Sequence, residues 1–200
     1  SFFNYPGKID TISKAVLVLG ITEVYSLVIA FFTTEAFKSI NANSEILDEF
    51  WEKSVDCALL IKFLGTSLNI ANAERMFILG LLHNLGELVI YQFSPDKVKA
   101  CNEGELLPWQ QQRETLGFTY GECSAELLKQ WQLPYSLIAP VRNQDEDDFS
   151  IINTESQLLY LAKRLVLNQR ELKNKHLDSL VTEQQFAMLH IEQSLLTSGI

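Results

Sequence analysis

Between Asn72 and Gly86 the chain places Met76, Phe77, Leu79, Gly80, Leu81, Leu82, His83 and Leu85, a run that is apolar nearly all the way round a helix. Such a helix offers no face to water, so other elements must surround it. The pattern predicts a helix capped by Asn72, with its Phe77 to Leu85 stretch at the centre of a bundle.

The rest of the sequence supplies the surround. Ser44 reads as the N-cap of a long helix in which Leu47, Phe50, Trp51, Ser54, Ala58, Ile61 and Leu64 recur at a spacing of three or four, running to about Ile70. Pro95 and Pro108 each sit where a helix begins, Pro134 follows a Trp-Gln-Leu stretch that ends one, and Pro140 kinks the next. Ile151 to Leu167 reads as an amphipathic helix with Leu158, Leu159, Leu161, Ala162 and Leu165 inward, and a last helix spans Thr182 to Leu196. Asn168 to Asp178 is polar and reads either as a surface connection or as a helical continuation. Ala15 to Phe32 approaches the length of a membrane span, but Gly20, Thr22 and Glu23 interrupt it, so two buried helices with Thr22 as N-cap are expected there. No regular apolar-polar alternation with hairpin turns is found. The expected fold class is all-α, a single bundle of roughly seven to nine helices over residues 1–200.

Composition narrows the function classes. A formal net charge of -9 argues against nucleic-acid binding, which needs clustered Lys and Arg. Cys57, Cys101 and Cys123 are odd in number and widely spaced, which fits neither a disulfide framework nor a zinc site and suits a reducing cytoplasm. No secretory signal is recognised at the start, and the chain opens on Ser1 without an initiator Met, which reads as a fragment. The acidic run Asp145-Glu146-Asp147-Asp148 reads as a solvated loop or as a docking site for a basic partner or a hard cation.

One constellation carries a family resemblance. Phe77-Ile78-Leu79-Gly80-Leu81-Leu82-His83-Asn84-Leu85-Gly86-Glu87-Leu88 resembles the pattern F-x-x-G-L-L-H-D-(I/L)-G-x-L around the doublet that names the HD phosphohydrolases. Upstream, Trp51 to Ala58 resembles W-x-H-S-x-x-x-A, and downstream Leu161-Ala162-Lys163-Arg164-Leu165 resembles L-A-D-x-L. Ser1 to Tyr5 with Ile9 and Ile12 to Gly20, and Tyr120 to Leu128 with Trp131 and Pro134, are similar to segments of the HDOD branch. The resemblance runs at least from Ser1 to Leu165. It implies a bacterial helical domain, often joined to sensor or cyclic-dinucleotide modules and largely without demonstrated chemistry. It also implies that the helical lobe preceding these segments in the family is missing here, so that an uncovered face would be exposed or covered by a second copy of the chain.

In active HD enzymes a histidine, the His-Asp doublet and a later aspartate hold divalent metal, whose charge the carboxylates offset. Here the matching positions are Lys53, His83-Asn84 and Lys163, so one ligand of the set remains. A neutral amide and two ammonium groups in place of ligands weaken or reverse the attraction to a cation. Supplementary histidines are replaced too, by Tyr120 and by Asn143-Gln144. The resemblance therefore implies no catalytic residue, no metal, no cofactor, and a non-catalytic signal-transduction or scaffold role through protein partners or a homo-oligomer, without nucleic acid or membrane. A second reading keeps Lys53, His83 and Lys163 as an anion or nucleotide site in the former metal cleft. Both lysines could instead snorkel to solvent or pair with Glu52, Asp56 or Glu87. A working phosphohydrolase is the third reading. His83 is expected as a hydrogen-bonded core residue, Trp51 and Trp131 as core anchors, and His176 and His190 as surface or packing residues.

Overall fold

The computed structural model describes residues 44–70, 73–170 and 177–191. The expected caps Asn72 and Thr22, the Ala15 to Phe32 helices and His176 lie outside them. The described elements are α1 (Ser44–Ser67), α2 (Ala73–Leu82), α3 (Leu85–Phe93), α4 (Pro95–Asn102), α5 (Pro108–Leu116), α6 (Tyr120–Gln130), α7 (Tyr135–Arg142), α8 (Thr154–Arg170), a 3₁₀ turn at Leu177–Ser179, and α9 (Glu183–Met188). No strand occurs among the described residues.

α2 packs against α1, α7 and α8, and α3 packs against α6. Met76, Leu79, Leu82, Leu85 and Leu88 are all buried, as an all-round apolar run requires. The two motif glycines permit these approaches. A methyl group on Gly80 would lie 2.3 Å from the Cα of Ala58 in α1, and one on Gly86 would lie 2.3 Å from the carbonyl oxygen of Tyr120.

The expected continuous helix through Phe77 to Leu85 is instead two helices. α2 stops at Leu82, His83 and Asn84 form a turn, and α3 starts at Leu85. Asn is a poor interior helix residue, and the Asn84 carbonyl accepts from the Glu87 amide at 2.9 Å, which tightens the chain at the break. The Arg75–Phe93 window is long and apolar enough by composition to cross a membrane, but it includes this break, and more than half of it is buried inside the bundle.

Helix ends also correct the sequence reading. α1 stops at Ser67 because Asn69 takes a left-handed conformation (φ 53°) and the Ile70 amide reaches back to the Gly65 carbonyl at 2.8 Å, a Schellman closure. The same closure ends α6 at Gln132 (φ 58°) and α9 at His190 (φ 54°), so the helix that starts after Thr182 stops at Met188 rather than running on to Leu196. His190 is thus an exposed closing residue of a helix rather than a packing group. α8 begins at Thr154, three residues after the expected Ile151, which is exposed, and extends to Arg170. Pro95 and Pro108 do open helices, and Thr119 and Thr182 cap α6 and α9 through reciprocal boxes with Glu122 and Gln185.

Candidate functional site

The break between α2 and α3 places His83 and Asn84 beside a cleft that α1, α5, α6 and α8 also line. Lys53, His83, Asn84 and Lys163 all border this cleft, of about 540 Å³, so the structure brings the four motif positions together. What each does there follows from its neighbours.

His83 is buried, and its Nδ1 lies 2.6 Å from the Gly80 carbonyl, which can only accept, so Nδ1 carries the proton. Burial, helped by the Lys163 charge, lowers its pKa from 6.5 to about 4, so the ring is neutral at pH 7. Its own carbonyl accepts from Gln144 Nε2 at 2.8 Å. Asn84 donates its amide to Glu87 at 2.5 Å.

Lys163 does not snorkel to solvent, and it pairs with an acid other than the three expected from sequence. Its Nζ donates to both oxygens of Asp145, at 2.7 and 2.8 Å, with the two side chains only 12% and 4% exposed. Burial pulls the lysine pKa down while Asp145 holds it up. The next residue, Arg164, is fully buried. Its guanidinium lies over the rings of Tyr160 at 3.1 Å and Trp109 at 3.9 Å, and 3.7 Å from carboxylate oxygens of Asp145 and Asp147. Asp147 in turn accepts from the Tyr160 hydroxyl at 2.7 Å.

The acidic run is therefore a solvated loop at three of its four positions, and its first residue, Asp145, is turned inward. Asp145 faces Lys163 and Arg164, whereas Glu146, Asp147 and Asp148 are exposed; of these Asp147 still reaches 3.7 Å from Arg164, and Glu146 and Asp148 accept from loop amides. Two adjacent buried cations demand counter-charges, and Asp145 and Asp147 supply them. The Leu-Ala-Lys-Arg-Leu sequence carried that signal for Arg164, which motif matching passed over because its position is not a family ligand.

At the mouth of the cleft Lys53 pairs with Glu49 at 2.9 Å. Arg170 pairs with Asp56 at 2.5 Å and with Glu52 at 3.0 Å. The Cys57 thiol is pushed up to about 12 by burial, so it stays protonated. Trp51 and Trp131 are half-buried against the core rather than fully inside it.

This donor set does not fit a divalent metal of the kind that active HD enzymes hold. One neutral imidazole and one amide face the cleft, and the place of the second carboxylate holds an ammonium with its own counter-ion. Among the described residues no three His, Cys, Asp or Glu side chains group as metal ligands.

A strand-free bundle whose His-Asn turn borders a cleft shared with α1 and α8 defines an HD-type helical domain with substituted ligand positions. The HDOD domain model matches residues 1–147, and the chain belongs to the HDOD domain family. Similar solved structures include a provisionally named phosphohydrolase from Shewanella amazonensis SB2B, with 22% identity and a TM-score of 0.60, covering 92% of this chain and 68% of that one. A provisionally named signal transduction protein from Marinobacter aquaeolei VT8 shows 20% identity and a TM-score of 0.63 over 74% of this chain, which spans only 34% of that protein. An HDOD domain protein with unknown function from Geobacter sulfurreducens shows 16% identity and a TM-score of 0.61, over 74% of this chain and 56% of that one. At these identities the likeness is one of fold. A search of curated proteins found no match.

Proposed function

We propose that this HDOD domain is a non-catalytic bacterial signalling or scaffold module of the cytoplasm that works through contacts with other proteins. The observation that carries the reading is the buried Lys163–Asp145 pair, which puts a neutralised ammonium where an HD enzyme needs a metal-binding carboxylate. A divalent ion there would meet a cation already satisfied within the fold. The signal transduction name of the Marinobacter relative and the response regulator name of a further fold relative, from Methylococcus capsulatus, support a signalling role.

The test is elemental analysis of protein purified without chelator, with phosphomonoester, phosphodiester and cyclic-dinucleotide hydrolysis measured in manganese, magnesium and nickel. The expected result is no stoichiometric metal and no turnover above background. About one equivalent of metal, lost together with hydrolysis in His83→Ala, would make the domain an enzyme.

A further inference from the structure

We draw no further inference here: the strongest candidate, the groove of about 600 Å³ between the start of α5, the 147–150 loop and α9, carries nothing because Asp147 already meets Arg164 and the Tyr160 hydroxyl, Asp148 already accepts from Ser150, and nothing in the structure shows what covers the groove.

Discussion

Lys163 Nζ lies 2.7 and 2.8 Å from the two carboxylate oxygens of Asp145, and this pair ties α8 to the loop after α7. Removing one partner of a buried ion pair leaves the other uncompensated, at a cost of about 3–5 kcal/mol. Asp145→Ala is therefore expected to lower stability by about that amount in denaturant unfolding. Adding Lys163→Met is expected to recover much of it. Additive losses would show that the pair does not couple.

His83 sets a pH dependence. Its folded pKa is below the unfolded value, so the unfolded chain takes up a proton first and stability falls as pH drops from 6.5 toward 4. The shift corresponds to about 3 kcal/mol. His83→Asn keeps an N–H donor near Gly80 and removes the titration, so its unfolding free energy is expected to fall less over that window than that of the unsubstituted chain. Parallel curves would place the titration elsewhere.

Two core substitutions test the α1–α2 contact. Leu82→Ala, at a side chain only 2% exposed, is expected to cost about 2–5 kcal/mol as a cavity mutation. Gly80→Ala drives a methyl into the α1 backbone and is expected to cost about 3 kcal/mol, the upper end for overpacking. A loss below about 1 kcal/mol in either would mean that the helices are not held at this distance.

His190→Gly is expected to raise stability by about 1 kcal/mol, since the left-handed conformation that closes α9 strains an L side chain and suits glycine. Thermal unfolding reads the change directly. A decrease would assign the imidazole a contact that offsets the strain.

Asn84→Asp alone is not expected to restore metal binding, because Lys163 still occupies its carboxylate partner and Lys53 still stands at the first ligand position. Isothermal titration with manganese checks this. Saturable binding near one equivalent in the single variant would show that the lysines do not oppose the ion.

The helical class, the family and most of the helices were legible in the sequence because apolar spacing, prolines and the Gly-Leu-Leu-His-Asn-Leu-Gly run are local signals. The breaks at Asn69, Gln132 and His190 were not, since a non-glycine residue in the left-handed region is selected by the closing hydrogen bonds and carries little signature of its own. The split between α2 and α3 was hidden for a related reason: the apolar pattern continues through His83 and Asn84 although the backbone does not.

The sequence by itself determined that the ligand positions hold Lys53, His83, Asn84 and Lys163, because substitution at a motif position is read residue by residue. Only the tertiary structure decided how those charges are spent. Lys163 is 18 residues from Asp145, so the buried pair could not be read from spacing. A charge acquires its role from what packs against it, and that is settled when α1, α6 and α8 are brought around one cleft.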